Sequence, residues 1–269
     1  MNLTKRLRVE PGTQVDLSKW DPDFTGGVKD REAAAKWVEK NQERMDELQA
    51  LLYAESRRSL LIVLQAMDAG GKDGTIRQVM RGVNPQGCRV TSFKAPSLEE
   101  LAHDYLWRIH QAVPRRGEIG IFNRSHYEDV LVVRVRKLAP RSVWSARFDE
   151  INRFEELLAG SDVHLVKIYL HISKDEQLRR LKERLDKPRK RWKITPEDFD
   201  NRRYWDDYMR AYEDVLTRCS TAHAPWYVIP ANHKWFRNLA VSEIIVDVLA
   251  RLNMKYPKPK FDRKAFKVE

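Results

Sequence analysis

Cysteine is scarce in this sequence. Cys88 and Cys219 are the only two among 269 residues, too few and too far apart for a disulfide framework or a zinc site. The seven histidines show no HExxH or similar ligand spacing, so we expect no structural metal. So few thiols, with no disulfide pattern, are typical of a reducing compartment, and we predict a cytoplasmic protein.

Long apolar runs are absent as well. No stretch approaches the ~20 apolar residues that a bilayer-spanning helix requires. The first twelve residues are polar and charged, and they lack the apolar segment of a secretion signal. We therefore expect neither membrane insertion nor export.

Acidic residues are outnumbered by basic ones. The chain has 50 Lys and Arg against 39 Asp and Glu, a net charge of +11. An excess of this size indicates a polyanionic partner, which is nucleic acid, anionic lipid or a chain of phosphates. The excess is concentrated in residues 174–193, where ten residues are basic and four are acidic. Apolar residues still make up 42% of the chain, enough for a sizeable core.

Strand-like and helical patterns alternate along the chain. A short continuous apolar run at 59–65 predicts a strand buried on both faces, and further strands are predicted at 89–93, 118–122, 163–171 and 226–229. Apolar stripes at helical spacing predict helices from Glu32 onward (with Trp37 on the apolar face) and at 98–109, 143–158 and 241–252. The alternation predicts an α/β fold, a mostly parallel sheet of about five strands with helices on both faces.

The most specific pattern is a glycine-rich turn between the first strand and a helix predicted at 76–81. The turn reads AMDAGGKDGT (66–75), close to the phosphate-binding pattern GxxxxGK[ST]. Glycines let successive backbone N–H groups point into one concavity, and a lysine and a helix N-terminus add positive potential. We predict that the turn binds phosphate, rather than being a structural glycine turn, through Ala69, Gly70, Gly71, Lys72, Asp73, Gly74 and Thr75.

Two carboxylates distinguish this turn from an ordinary ATP-binding loop. Asp68 lies within it, and Asp73 replaces the usual Ser or Thr, while Ala66 replaces the first glycine. Carboxylates repel a bound polyanion unless a metal ion or basic side chains intervene. We predict that Asp68 binds Mg²⁺, with Asp73 as a further candidate. The alternative for Asp73 is a helix N-terminal carboxylate, which the helix dipole favours.

A polar cluster, NRSHYED (123–129), follows the third strand. Ligands gather at the carboxyl ends of parallel strands, so we expect the cluster to lie near the glycine turn. Arg124 carries a positive charge that can orient phosphate. The carboxylate of Glu128 or of Asp129 can bind a metal ion or accept a hydrogen bond from a ribose hydroxyl. We assign His126 to packing or positioning, because an attacking phosphate oxygen is already ionised and needs no base.

The basic stretch at 177–193 (QLRRLKERLDKPRKRWK) is the third element. Pro188 breaks the helix, which indicates a helical basic lid at about 184–205 that carries Arg184, Lys190, Arg191 and Lys193. A closing lid would exclude water and stabilise charge on a transferred phosphoryl group. A solvated helix face remains the interpretation for Arg179 and Lys182, and the same charges would also suit nucleic acid.

Taken together, these motifs resemble the type 2 polyphosphate kinase family. The resemblance spans about 52–252 and includes LQAMDAGGKDGT (64–75), FKAP (93–96), HDYLWRIH (103–110), IFNRSHYEDVLVVRV (121–135), RWK (191–193) and APWYVIPANHKWFRN (224–238). It implies a P-loop kinase core at 55–255 with the lid, preceded by an N-terminal extension and helix packed on the core (1–54) and followed by a loose tail (256–269).

The resemblance also implies the activity. The terminal phosphate of inorganic polyphosphate is transferred to a nucleotide, reversibly and with Mg²⁺ (or Mn²⁺). Relatives often have Asp where this chain has Asn123, and Asn where it has Glu128. The NRSHYED version resembles the subgroup that phosphorylates both nucleoside mono- and diphosphates, so AMP and ADP are the expected acceptors. Guanine nucleotides are further candidate acceptors, and a homo-oligomer is a further expectation.

Site residues are assigned by matching the family's motifs. The predicted catalytic residues are Asp68, Lys72, Arg124 and Arg184. The predicted nucleotide-binding residues are Arg108, Arg124, Tyr127 and Glu128. Phosphate binding adds Lys190, Arg191 and Lys193 to the loop, and the metal ligands are Asp68 and Glu128, with Asp73 as the further candidate.

Two other functions would account for parts of this sequence. An ATP-dependent small-molecule kinase would hold ATP in the loop, but the two loop carboxylates argue against it. A nucleic-acid-binding protein would account for the net charge and the pI of 9.6. Aromatic residues do not interleave with the basic stretch as a base-stacking platform requires, so we expect no specific nucleic-acid partner.

Overall fold

Five parallel strands form one sheet in the order β2-β3-β1-β4-β5, in a computed structural model that describes residues 2–259. The strands are β1 (Ser59–Gln65), β2 (Cys88–Ser92), β3 (Ile119–Asn123), β4 (Val163–His171) and β5 (Trp226–Pro230). β1 pairs with both β3 and β4, so that Leu60 lies between Ile119 and His164. All seven residues of β1 are buried, which explains why this strand is apolar without alternation.

Helices cover both faces of the sheet. In chain order they are α1 (Leu3–Leu7), α2 (Arg31–Glu55), α3 (Lys72–Val79), α4 (Leu98–Leu101), α5 (Trp107–Ala112), α6 (Val132–Val135), α7 (Arg141–Gly160), α8 (Lys174–Asp186), α9 (Pro196–Arg203), α10 (Trp205–Cys219) and α11 (Lys234–Arg251). Four 3₁₀ turns lie at Leu17–Lys19, Pro85–Gly87, His126–Asp129 and Pro188–Lys193. α2, α3 and α11 pack together, and α7 packs with α6 and α10 in a second group.

The N-terminal segment is anchored on the edge of the sheet beside β5. Arg8 forms an isolated antiparallel bridge with Tyr227, and the Val9 N–H donates to the Trp226 carbonyl at 2.9 Å. Leu3 and Leu7 of α1 are buried in the core. Burial of these side chains holds the segment against the domain. Of the tail at 256–269, residues 260–269 lie outside the described residues.

The predicted α/β class and the five-stranded parallel sheet are confirmed, and each strand lies within one residue of its predicted bounds. Three helix predictions were wrong in detail. α3 begins at Lys72 rather than at residue 76, because Gly71 in the left-handed region (φ 108°) starts the helix directly after the loop. Residues 98–109 form two short helices, with Leu98 88% exposed, and Trp37 on α2 is 58% exposed.

The strand order determines where a ligand can bind. From β1 the chain passes to β2, which lies beyond β3 at one edge of the sheet. From β3 the chain passes in the opposite direction, to β4 on the far side of β1. Chains that leave neighbouring strands in opposite directions open a crevice at their carboxyl ends. The glycine turn follows β1 and the polar cluster follows β3, so both border this crevice. Within residues 2–259, no helix is both long and apolar enough to cross a membrane.

Candidate active site

A cleft of about 1960 Å³ opens at the carboxyl ends of β1 and β3. Its floor is the glycine turn, residues 68–74, and its walls come from β2, α2, α8 and α11 and from the segment that follows α8. Thirteen basic and seven acidic side chains of the described residues line it. This basic excess produces a potential that attracts polyanions.

The shape of the loop depends on two glycines. Gly71 has φ 108°, and a Cβ there would collide with the Arg237 guanidinium. A Cβ at Gly70 would lie 2.8 Å from the Met67 carbonyl oxygen, closer than packing permits. Ala69 also has a positive φ of 60°. These residues bring the loop backbone directly to the N-terminus of α3. The first N–H groups of the helix are available there to bind anions.

Lys72 is the first residue of α3, and its side chain is half-buried over the loop. Its Nζ donates to the Ala66 carbonyl at 2.8 Å. Burial, together with the charge of Arg124, lowers the pKa of Lys72 to about 8, although Asp68 and Glu128 oppose the shift. A phosphate oxygen would compensate this charge more fully than a carbonyl, because it carries a formal negative charge.

Asp68 is the carboxylate at the centre of the site, with its side chain 15% exposed. Its Oδ1 accepts from Arg124 Nη2 at 3.0 Å, and its Oδ2 accepts from Asn201 Nδ2 at 2.9 Å. The Asp68 backbone carbonyl accepts from Gln177 Nε2 at 3.0 Å. Asp68 therefore joins the loop to three other parts of the chain: the strand end at Arg124, α8 and the segment after α8.

Arg124 reaches Asp68 from the end of β3. Its backbone is in the left-handed region (φ 64°), and its N–H donates to the Leu64 carbonyl of β1 at 3.1 Å. Glu128 lies 3.9 Å from the guanidinium, and Glu128 followed by Asp68 raises the pKa of Arg124 above its ordinary value despite burial. A strained backbone conformation at a charged residue in a cleft is typical of functional sites.

Asp73 occupies a more open position, with its side chain 66% exposed. It accepts hydrogen bonds from Asn123 Nδ2 at 3.0 Å and from Lys193 Nζ at 3.1 Å. Partial burial would raise the pKa of Asp73, but these two hydrogen bonds outweigh burial and hold the pKa below its ordinary value. Asp73 is also in the first turn of α3, where the helix dipole favours a carboxylate.

The basic segment after α8 lies over the loop. Lys193 pairs with Asp73, and Asn201 of α9 contacts Asp68. Arg184 lines the cleft with Nη1 3.9 Å from Asp198, and Lys190 lines it while pairing with Glu183 at 2.8 Å. The structure therefore brings Arg184, Lys190 and Lys193 to the same cleft as the loop.

Tyr127, predicted to bind nucleotide, does not face the cleft. It is fully buried, and its hydroxyl donates to Glu155 at 2.8 Å and accepts from Lys167 at 2.9 Å. His126 is buried beside it, with Nε2 3.2 Å from Glu155 Oε1, which is a packing position. The 3₁₀ turn after Ser125 rotates both rings into the core, and their network with Glu155 anchors the loop that carries Arg124.

Three other predicted site residues point elsewhere. Arg108 lines a separate cavity of about 580 Å³ and donates to the Lys94 carbonyl at 3.0 Å. Arg191 donates to the Leu185 carbonyl at 2.7 Å, and it is not among the residues that line the cleft. Thr75 is buried and bonds back to the Gly71 carbonyl within its own helix. In each case local backbone geometry directs the side chain away from the cleft.

Sequence reasoning missed four residues that contact the loop or its carboxylates, one of which is Gln177 at the Asp68 carbonyl. Arg180 donates to the carbonyls of Ala69 and Gly70 at 3.1 and 2.9 Å, and Arg237 packs on Gly71. Asn201 contacts Asp68. The spacing of Gln177, Arg180 and Arg184 places them on one helix face. This spacing could have shown that Arg180, unlike the solvated Arg179, lies on the face that contains Arg184. Arg237 lay within a quoted motif, outside the predicted helix.

The fold and the site together define a P-loop phosphotransferase of the kinase type. A parallel strand, a glycine loop with lysine, a helix and an arginine from the neighbouring strand converge on one cleft, where ligands of such folds bind. Comparison with known proteins identifies the family. The family model described as Polyphosphate kinase 2 (PPK2) matches residues 28–257. The chain belongs to this family, as the motifs in the sequence indicated.

Relatives cover nearly the whole chain. The AMP/ADP-polyphosphate phosphotransferase of Meiothermus ruber is 54% identical over 95% of this chain and 96% of its own. The ADP-polyphosphate phosphotransferase of Rhodopseudomonas palustris is 44% identical over 95% of this chain and 92% of its own. The crystal structure of polyphosphate kinase 2 from Arthrobacter aurescens TC1 superimposes with a TM-score of 0.95 at 42% identity, covering 98% of this chain and 95% of that one.

Membership of this kinase family implies a divalent metal cation. Within residues 2–259, no group of three or more His, Cys, Asp and Glu is arranged to hold a metal by itself. This donor set still fits an ion such as Mg²⁺, which keeps several waters and takes one or two carboxylates plus substrate phosphates. Asp68 and Asp73 line the cleft and supply such carboxylates, and Glu128 adjoins Arg124.

Proposed function

We propose that this protein transfers the terminal phosphate of inorganic polyphosphate to AMP and ADP, giving ADP and ATP. The observation that carries the proposal is the convergence of Asp68, Lys72 and Arg124 in a cleft with thirteen basic and seven acidic side chains. The names of the relatives from Meiothermus ruber and Rhodopseudomonas palustris, which carry polyphosphate together with AMP/ADP or ADP, support it.

The reaction exchanges one phosphoanhydride for another. An oxygen of the acceptor's terminal phosphate forms a bond to the last phosphorus of the chain, while the bond to the next phosphate breaks in line with it. The attacking oxygen is already ionised, so no general base is required. The bonds made and broken are of the same kind, and the reaction therefore runs in both directions.

The residues of the chain contribute positioning and charge. Loop N–H groups and Lys72 hold the oxygens of the transferred phosphate, and Arg124 holds the acceptor against it. Arg184 and Lys193 add positive charge from the opposite wall. Preorganised charges of this kind stabilise the charge that spreads over the transferred group. A Mg²⁺ ion held by Asp68 and Glu128, with Mn²⁺ as the alternative ion, would neutralise phosphate oxygens and allow them to lie beside carboxylates.

Residues 184–205 act as a lid in this proposal. Two of its side chains, Lys193 and Asn201, bond to the loop carboxylates Asp73 and Asp68. Substrate phosphates would compete with Asp73 for Lys193, and a metal ion held by Asp68 would compete with Asn201, so substrate binding and lid position are coupled. Closure of such a segment excludes water, which would otherwise hydrolyse the phosphoanhydride.

An ATP-free assay tests the function. The protein is incubated with polyphosphate, Mg²⁺ and either AMP or ADP, and nucleotides are separated by chromatography. ADP should appear from AMP, and ATP from ADP. An ATP-dependent small-molecule kinase would yield neither product. A nucleic-acid-binding protein would bind polyanions in a salt-sensitive way without turnover. GMP and GDP in the same assay test the predicted guanine acceptors.

Location and assembly remain predictions. A cytoplasmic location agrees with two free thiols, Cys88 and Cys219, and with nucleotide substrates. The homo-oligomer implied by the resemblance is measured by light scattering of the purified protein.

The pH dependence of polyphosphate use should follow Lys72. Below a pKa of about 8 the ammonium is charged in the free enzyme, and above it the charge is lost. We expect kcat/KM for polyphosphate to fall about tenfold per pH unit above pH 8, because kcat/KM reports the free enzyme. Bound phosphate raises the pKa, so kcat should persist to higher pH.

The free energy of unfolding of the free protein should rise over the same pH range in which kcat/KM falls. An unfolded chain holds the lysine proton up to about pH 10.4. Between the two pKa values the unfolded state binds more protons, so the contribution of Lys72 stabilises the free protein as pH rises. Rates measured from pH 6 to 10 check the first effect. A kcat/KM that stays level to pH 10 would show that Lys72 does not contact phosphate.

A further inference from the structure

Two buried guanidinium groups form the inner wall of the cleft, on the side of the loop away from Arg124. Arg180 of α8 is 5% exposed and Arg237 of α11 is 3% exposed. A Cβ added to Gly71 would lie 3.6 Å from Arg180 Nη1 and in collision with Arg237 Nη1. Both side chains therefore lie against the phosphate loop.

The two differ in how their charge is compensated. Arg180 pairs with Glu176 at 2.6 Å and donates to backbone carbonyls of the loop and of the segment after β5, namely Ala69, Gly70, Ala231 and Asn232. A buried arginine with a carboxylate and several carbonyls is fully satisfied. Arg180 is therefore a structural brace that ties α8 to the loop.

Arg237 has no such compensation. Its Nε and Nη2 share one neutral acceptor, Asn238 Oδ1, at 3.2 and 2.8 Å. No carboxylate of residues 2–259 forms a salt bridge with it, and its Nη1 faces the cleft beside Gly71. Burial, with the nearby charge of Arg180, lowers the pKa of Arg237. A buried cation without an anion is unfavourable, and an anionic ligand would remove the deficit.

The position of Arg237 indicates which part of a phosphate chain it meets. α11 follows β5 at one end of the sheet, whereas Arg124 follows β3 on the other side of β1. The loop lies between them. If Arg124 holds the acceptor at the end of the chain, the remaining phosphates lie toward α11. There Lys234, one turn before Arg237, and Lys190 also line the cleft, where both lie within ion-pair distance of Glu183.

α2 also lines the cleft and presents Glu39, Glu43 and Asp46 together with Arg31. These three carboxylates would repel a phosphate chain that left the loop along α2.

We propose that Arg237 binds the non-terminal phosphates of polyphosphate and, with Lys234, directs the chain out of the loop between α8 and α11. This inference rests on the proposed function and assigns the donor side of the same cleft. Arg237 contacts substrate but not the acceptor nucleotide. Its removal should weaken use of polyphosphate without affecting AMP.

The test compares Arg237→Met with a matched control on the same helix. Arg251→Met removes an equal charge from an exposed position, whose one salt bridge among residues 2–259 is with Asp247. KM for polyphosphate and KM for AMP are measured separately with the full chain. Arg237→Met should raise KM for polyphosphate about tenfold or more, the effect of losing a hydrogen-bonded charge, and leave KM for AMP unchanged. Arg251→Met should match the wild type.

Thermal unfolding without nucleotide supplies a second measurement. Arg237→Met should keep or raise the Tm of the free protein, since an uncompensated charge leaves the interior, and should lose most of the stabilisation by added polyphosphate. Arg237→Lys, which retains charge, should recover part of it. A purely structural arginine would instead give a lower Tm with an unchanged gain from polyphosphate.

The outcomes separate this inference from the function it rests on. An active wild type whose Arg237→Met and Arg237→Lys variants keep the wild-type KM for polyphosphate overturns the subsite alone. If Arg237→Met instead raises KM for AMP, Arg237 lies on the acceptor side, and the proposed polyphosphate subsite is also overturned. A wild type that neither turns over nor gains stability with polyphosphate overturns both.

Discussion

Replacement of Asp68 by asparagine is expected to lower kcat by about 10³-fold, a loss of the size seen when one charged or hydrogen-bonding group of a transition-state site is removed. Asparagine keeps the shape and can still contact Arg124 and Asn201, the present partners of Asp68. It removes the negative charge that would hold a divalent cation against the phosphates. The measurement is the ATP-free assay under saturating substrates.

Asp73→Asn is the matched control for this prediction. Asp73 is 66% exposed and lies at the start of α3, where removal of a carboxylate has a small effect. We expect a decrease of less than about tenfold. Circular dichroism should show both variants folded. If Asp73→Asn lost as much activity as Asp68→Asn, the assignment of the main carboxylate to Asp68 would be wrong.

Replacement of Lys72 by methionine should lower kcat/KM for polyphosphate by about 10³-fold. Methionine fills similar space but leaves the phosphate oxygens without the ammonium at the start of α3. The free protein should not lose stability, because a half-buried charge with a lowered pKa is removed. Activity and thermal unfolding measured on one preparation test both parts of the prediction.

Lys182→Met provides the comparison for Lys72→Met. Lys182 is an exposed lysine on α8 and does not line the cleft. It should retain wild-type kinetics, which shows that loss of one positive charge from this basic protein is not itself harmful. A Lys72→Met variant with near-normal kcat/KM would mean that the loop amides bind phosphate without Lys72.

The parts of the site that could be predicted are those determined locally. Gly70 and Gly71 form the turn before Lys72 because a side chain at either glycine would collide with its surroundings. Arg124 was placed near it because carboxyl ends of parallel strands share one edge of a sheet. The bounds of β1 were predicted because its continuous apolar run must be buried on both faces, as all seven of its residues are.

The predicted site residues that lie away from the cleft have a common physical reason. Tyr127 and Arg191 are close in sequence to residues that line the cleft, yet each lies in a 3₁₀ turn and contacts other groups. Asn201 and Arg237 were missed because their contacts with Asp68 and Gly71 join positions more than 130 residues apart. No local pattern encodes such a contact.

Strand burial, glycine conformation and net charge are properties of short segments, so the sheet, the phosphate loop and the basic character of the protein follow from the sequence. Even the carboxylate partner of Arg180 is local, because Glu176 lies one turn earlier on the same helix. Only the tertiary structure brings Arg180 and Arg237 together as buried arginines beside one loop. That meeting depends on distances between remote segments, and the order of the strands sets those distances.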